Sequence, residues 1–229
     1  MYLLLDRSSP IPAAILRDGG KTVARISGCA SQMRQPLQGS ELKKLLADNR
    51  IAPGDLECAV CGLGPGSFSG IRSVLSALIG LTLPFNKPLY GISSAIACAA
   101  ATGRTGYVSV IGDARRNRLW HVTYLIGEDG SVLLQNGQKP SHTAADFTLA
   151  EPAALCDSIP GDAFVVSPDF ARLKSVLTEK FEARLLQDDA RPDIEAMARV
   201  FENAPGNCPV NPAPIYLQPA VSAPPCSAQ

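Results

Sequence analysis

The chain has 229 residues and a mass of 24.1 kDa, with 21 Lys+Arg against 21 Asp+Glu, so it carries no formal net charge. A protein that grips nucleic acid by itself through phosphates needs a cationic excess, so contact with RNA or DNA is expected only through a partner. At 46% hydrophobic and 18% charged residues the chain is more apolar than an average soluble domain, where charge is roughly a quarter, so surplus apolar surface has to be covered somewhere.

Met1 leads straight into the strand-like run Tyr2-Leu3-Leu4-Leu5, with no basic n-region and no long apolar h-region, so no export signal is expected. Residues 3–6, 12–17 and 21–27 read as a small meander, its second hairpin marked by Asp18-Gly19-Gly20. Residues 40–50 switch to helical period, with Leu42, Leu45 and Leu46 on one face and Ser40 as N-cap. After Ala52-Pro53-Gly54, residues 56–63 are small or apolar apart from Glu57, which suits a central parallel strand buried on both faces. Within that strand Cys58 and Cys61 have C-x-x-C spacing, but an odd offset on a strand points them to opposite faces.

The loop Gly64-Pro65-Gly66-Ser67-Phe68-Ser69-Gly70 follows, then a helix over residues 71–83 that stops at Pro84. A short strand at 88–91 and a helix at 94–102 complete a first lobe ending near Gly103 to Gly106. The second half restarts with strands at 107–113, 119–126 and 132–135, then a helix at 152–157, a strand at 163–167, a helix at 171–180, a strand at 183–186 and a helix at 193–202. A Pro-rich end follows, in which Pro214-Ile215-Tyr216-Leu217 reads as a docking strand and residues 222–229 as a disordered tail.

The longest apolar runs, residues 74–83 and 96–101, fall short of the roughly 18–20 residues that span a bilayer. A cytoplasmic protein with no membrane partner is expected. Seven scattered cysteines, an odd number, read as reduced thiols, and with only His121 and His142 available no metal site is expected.

The glycine-rich loop sits where a strand meets a helix N-terminus, a place whose free N–H groups favour an anion. It is neither a Walker loop nor a G-x-G-x-x-G fingerprint, and a tight turn that needs glycine explains it equally well. It also misses the G-x-S-x-G nucleophile elbow by one residue, and neither histidine has an evident acid partner. The next helix carries two stripes: Ile71, Val74, Leu75, Leu78 and Thr82 are apolar, while Ser73, Ser76, Ala77 and Gly80 are small. Such a helix is covered on two sides, either inside the domain or by another chain. Asp6 and Asp113 end the opening strands of the two halves, which hints at duplication.

The run Gly62-Leu63-Gly64-Pro65-Gly66-Ser67-Phe68-Ser69-Gly70-Ile71-Arg72 resembles G-x-G-P-G-S-F-T-G-[VIL]-R of the TsaB (YeaZ) family. Gly91-Ile92-Ser93-Ser94, Asp113-Ala114-Arg115-Arg116 and Pro214-Ile215-Tyr216-Leu217 resemble further family segments in the same order. Departures are Leu5-Asp6-Arg7-Ser8 for I-D-T-[ST], Met33-Arg34-Gln35 for a His-Ser/Thr pair, Asn117-Arg118 for Gly-Glu, and Gln218 for a terminal arginine.

The resemblance implies an actin-like (ASKHA, ribonuclease H-like) duplicated α/β fold of two lobes, each a mixed sheet flanked by helices. The expected boundaries are 1–104 for the first lobe with its partner-binding helices and 105–221 for the second. It also implies a non-catalytic subunit that binds and activates TsaD for N6-threonylcarbamoyl modification of adenosine 37 in tRNA. A TsaE-like ATPase joins, tRNA is met only through the complex, and the chain pairs with itself when alone. The interface is expected on Leu42, Leu45, Leu46, Ile71, Ser73, Val74, Ala77, Leu78 and Gly80. No catalytic residue, metal or cofactor is expected, beyond vestigial ATP/ADP binding at Asp6, Ser8, Gly64, Gly66, Ser67 and Asp113. The alternatives are an actin-like ATPase or small-molecule kinase using residues 64–70, and a peptidase acting through Ser67 or Ser69.

Overall fold

The structure, a computed structural model, describes residues 1–27 and 39–218. The altered segment around Met33, Cys29, Cys226 and the tail 222–229 lie outside the described residues.

The first sheet comprises β1 (Tyr2–Asp6), β2 (Ala13–Asp18), β3 (Lys21–Ser27), β4 (Cys58–Gly62) and β5 (Leu89–Ile92), in the order β3-β2-β1-β4-β5. β1, β2 and β3 form an antiparallel meander, whereas β4 and β5 add parallel to β1. The turn between β2 and β3 carries Gly19 and Gly20 at φ +51 and +76, the left-handed geometry a tight hairpin asks for. Three helices accompany this sheet: α1 (Gly39–Asp48), α2 (Phe68–Thr82) and α3 (Ser94–Ala100).

The second sheet repeats the plan. It contains β6 (Gly106–Arg115), β7 (Arg118–Ile126), β8 (Val132–Leu134), β10 (Phe164–Ser167) and β11 (Leu185–Asp189), ordered β11-β10-β6-β7-β8, with β9 (Thr148–Ala150) on β7. Reversed, that is meander, then two parallel strands on the opening strand, the same order as in the first sheet. The helices here are α4 (Phe170–Phe181) and α5 (Ile194–Asn203). This is the duplicated actin-like architecture.

Strand alternation sorts the side chains into layers. Leu4 and Cys58 face the central core between the sheets, while Leu3, Leu5 and Cys61 face the outer core beneath α1 and α2. The two cysteines therefore diverge, as their spacing demands. α3 and α5 fill the central layer, and the small residues Ala95, Ala97, Cys98 and Ala99 let α3 lie there close-packed. The second sheet's outer face is closed by α4 and a 3-10 segment, Pro152–Ser158, where the sequence suggested an α-helix.

α5 belongs by sequence to the second lobe but packs on β1 and β2 of the first sheet. Buried Arg17 on β2 holds it: Nε and Nη2 donate to Glu202 at 3.0 and 2.6 Å, and Nη1 donates to Glu195 at 3.2 Å. The Pro-rich segment also returns to the first sheet. Val210 bridges Tyr90, Ile215 N donates to Leu63 O at 3.0 Å, and Ile215 is buried in the outer core, although no regular strand forms at 214–217.

α2 runs further than the apolar run 74–83 suggests. With the 3-10 turn Leu83–Phe85 it makes an 18-residue apolar stretch of mean hydropathy 1.4, long enough by length and composition to cross a membrane. Here its Ile71, Val74 and Leu78 lie buried in the outer core, in contact with the first sheet. Five of the seven cysteines are described, and all five are free thiols.

A candidate site in the cleft between the lobes

A cleft of about 660 Å³ opens between the two halves. One wall is the turn after β1 and the loop from β4 to α2; the other is the end of β6 and the junction of β10 with α4.

The loop follows from close packing. Gly64, at φ +88, donates its N–H to Ser94 Oγ at 3.0 Å, and its carbonyl accepts from Ser94 N at 2.8 Å; a Cβ there would meet Ile71 at 2.6 Å. Gly66 lies against the Ser8 backbone, where Ser67 N donates to Ser8 O at 2.7 Å and a side chain would collide. Ser67 then caps α2, its Oγ accepting from Gly70 N at 3.2 Å. The helix therefore starts at Phe68, three residues earlier than apolar periodicity indicated, because the cap and not the stripe fixes its first turn. Tight-turn geometry accounts for these glycines.

Asp6 does not open into the cleft. It is buried, its carboxylate accepting from Ser94 Oγ at 2.6 Å and from Ser8 Oγ and N at 2.9 and 3.2 Å. Burial pushes its pKa up against these hydrogen bonds. Of the expected phosphate-site residues, Ser8, Gly66, Ser67 and Asp113 line the cleft, whereas Asp6 and Gly64 sit behind it.

Asp113 comes with partners that the sequence did not reveal. Its Oδ2 pairs with Arg115 at 3.1 Å and Arg172 at 3.3 Å, and its N–H donates to Asp169 at 3.0 Å. Asp169 in turn pairs with Arg172 at 2.6 Å. Asp113 and Asp169 are thus paired with arginines, and the described side chains that line the cleft present guanidinium groups and hydroxyls, a lining suited to an anion rather than a cation. Among the described residues no cluster of His, Cys, Asp and Glu could hold a metal. Neither histidine lines the cleft, so Ser67 and Ser69 have no imidazole beside them.

A second missed feature lies at the mouth. Phe68 and Tyr216 stack with ring centroids 4.9 Å apart, and the Arg72 guanidinium carbon lies 4.1 Å from the Phe68 centroid. Arg72 Nε donates to Tyr216 Oη at 2.8 Å. The Pro-x-Tyr-Leu segment was the available signal.

The expected interface residues divide. Leu42, Leu45, Leu46, Ile71, Val74 and Leu78 are buried in this chain's own outer core, so their side chains are not open to a partner; α1 needed its leucines to cover the first sheet. On α2, Ser73 and Ala77 are half-buried, Ala77 flanking the same outer core, and Gly80 is exposed. At the end of that helix Ile79, Leu83 and Phe85 are exposed, Leu83 to 73%.

A family model described as TsaD, tRNA N6-adenosine threonylcarbamoyltransferase, matches residues 37–137. TsaB of Bacillus subtilis, described as a tRNA threonylcarbamoyladenosine biosynthesis protein, is 37% identical over 82 residues, 35% of each chain. YeaZ from Pseudomonas aeruginosa superposes with a TM-score of 0.71 at 17% identity, over 93% of this chain and 99% of its own. Over those 82 residues the chain is similar to TsaB, and over nearly its whole length it shares the YeaZ fold. An uncharacterized protein of Mycobacterium tuberculosis is 33% identical over 82 residues, and the match spans 36% of this chain and 38% of that relative. The sequence likeness to TsaB is thus confined to about a third of the chain, while the shared architecture extends over nearly all of it.

Proposed function

We propose that this chain is a TsaB-family protein, a non-catalytic subunit in forming N6-threonylcarbamoyladenosine in tRNA, binding and activating a TsaD-like transferase in the cytoplasm. The observation that carries this reading is the outer side of α2. It offers exposed Gly80 and the half-buried small residues Ser73 and Ala77 beside exposed Ile79, Leu83 and Phe85 on a helix whose other side is already buried. A contiguous apolar surface on a folded chain is an interaction site by default, and small residues let a second helix approach closely. The state of the cleft supports a non-catalytic role: Asp6 is buried among serine donors, and Asp113 and Asp169 are held by arginines. An actin-like kinase would need such carboxylates free for a metal–nucleotide complex.

A TsaE-like ATPase and tRNA join through the TsaD complex, and in the absence of TsaD the same face closes a homodimer. The test is size-exclusion chromatography with light scattering on this chain alone and mixed with TsaD of the same organism, then modification of unmodified tRNA with each subunit omitted. Ala77→Glu or Gly80→Leu should abolish pairing and leave a folded monomer, since a Cβ at Gly80 meets nothing within 4 Å. No complex with TsaD, together with ATP turnover by this chain alone, would transfer the answer to the kinase-like alternative.

A further inference from the structure

The neutral net charge conceals an uneven distribution. Arg7, Arg115 and Arg172 line the cleft, and Arg72 lies over Phe68 at its mouth. Arg115 also opens the tip of the β6–β7 hairpin, where Arg116 and Asn117 both take positive φ, 53 and 57, as a two-residue turn of this type requires. Arg116 and Arg118 at that tip are exposed, and neither has an ion-pair partner among the described residues. Among the described side chains that line this wall, the carboxylates are Asp113 and Asp169, and they are shared among Arg115 and Arg172. Facing this wall are two exposed, stacked aromatic rings, Phe68 at 44% and Tyr216 at 38% exposure.

We propose that the two lips of this cleft, the arginine hairpin on one side and the Phe68–Tyr216–Arg72 stack on the other, form a groove for a single-stranded RNA segment. Guanidinium groups along one lip neutralise successive phosphates, and the aromatic faces with the planar Arg72 group accept unstacked bases. That combination of cationic track and stacking platform is how single strands are held with little sequence preference. An acidic peptide would satisfy the arginines but leave the ring faces without a complementary group. A metal–nucleotide complex would find no uncommitted carboxylate among the described side chains that line the cleft. The inference deepens the proposed role in tRNA modification and rests on it for the choice of probe.

Fluorescein-labelled unmodified tRNA is titrated with the full chain, alone and in the presence of TsaD, and followed by anisotropy over a range of salt. Arg116→Glu with Arg118→Glu should weaken binding by about tenfold or more and flatten the log–log salt dependence by about one unit per arginine. Lys21→Glu with Lys139→Glu, the same charge change at exposed positions outside the β6–β7 hairpin, should leave both unchanged. Equal affinity in the arginine variant, equal weakening in both pairs, or no tRNA binding by the parent in either setting overturns the groove. Loss of labelled ATP binding with tRNA binding intact assigns the cleft to a nucleotide and overturns it as well. Light scattering of the arginine variant with TsaD separates the two readings: pairing with unchanged RNA affinity refutes only the groove, whereas a parent that never pairs refutes the subunit role.

Discussion

His142 makes the stability of this chain acid-sensitive in a calculable way. It is 3% exposed, and its Nδ1 accepts from Ser93 N at 3.3 Å, a bond only the unprotonated nitrogen can make. Burial drives its pKa from 6.5 down to about 4, against the opposing pull of nearby Asp146. Above pH 6.5 the ring is neutral in both folded and unfolded chains and pH has no leverage through it. Between pH 6.5 and 4 the unfolded chain takes up a proton that the native chain refuses, so stability falls with pH and levels off below 4. At about 1.4 kcal/mol per unit, about 2 kcal/mol is lost between pH 7.5 and 5 and about 3 kcal/mol in all. His121, with both ring nitrogens buried and unpartnered, is shifted the same way by burial and adds to the loss. The variant to compare is His142→Asn, because position 142 has φ +55, which asparagine tolerates, and an amide oxygen can still accept from Ser93. Urea unfolding at pH 7.5 and 5.0 should show the parent losing about 2 kcal/mol more than the variant. Equal losses would refute the assignment of the acid sensitivity to this ring.

Three further substitutions probe the fold around the cleft. Gly62→Ala puts a methyl on the buried Asp6 carboxylate, 2.7 Å from its Cγ, and should cost about 1–3 kcal/mol, read as a lower urea midpoint at unchanged slope. Arg17→Met leaves Glu195 and Glu202, each with side chains 25% exposed, without their cation; it should cost about 3 kcal/mol, the low end for a broken buried pair, and Glu202→Leu in the same chain should recover part of it. Ser67→Ala removes the α2 cap, for a loss of about 1 kcal/mol in urea unfolding with tRNA modification by the assembled complex retained; a peptide-hydrolysing activity of this chain alone that disappears in the variant with stability intact would favour the peptidase alternative.

What the sequence made legible was set by local signals. The Asp18-Gly19-Gly20 turn places both hairpin strands, and β3 runs from Lys21 to Ser27 as the pattern indicates. The unbroken apolar run before Gly64 marks β4 as central, and it pairs with β1 on one side and β5 on the other. Illegible were the features that depend on distant segments meeting. Leu42, Leu45 and Leu46 look the same whether they cover their own sheet or wait for a partner, and only the neighbouring strands decide. Asp169 and Arg172 are remote in sequence from Asp113, and no local pattern announces that they neutralise it. Tyr216 reaches Arg72 only because the Pro-rich segment doubles back across the first sheet.

The duplication then sharpens the functional argument. Each half brings an acid from its opening strand toward the cleft, and each half neutralises that acid differently: the first encloses Asp6 in serine donors behind the wall, while the second clamps Asp113 between arginines on the wall. Two independent devices with the same outcome leave both strand-end acids engaged within the chain. The lobes are also tied together, by α5 through Arg17 and by the returning segment through Ile215. Both proposed roles therefore fall on surface: the outer side of α2 for a protein partner, and the arginine-rich lips of the cleft for an anionic strand.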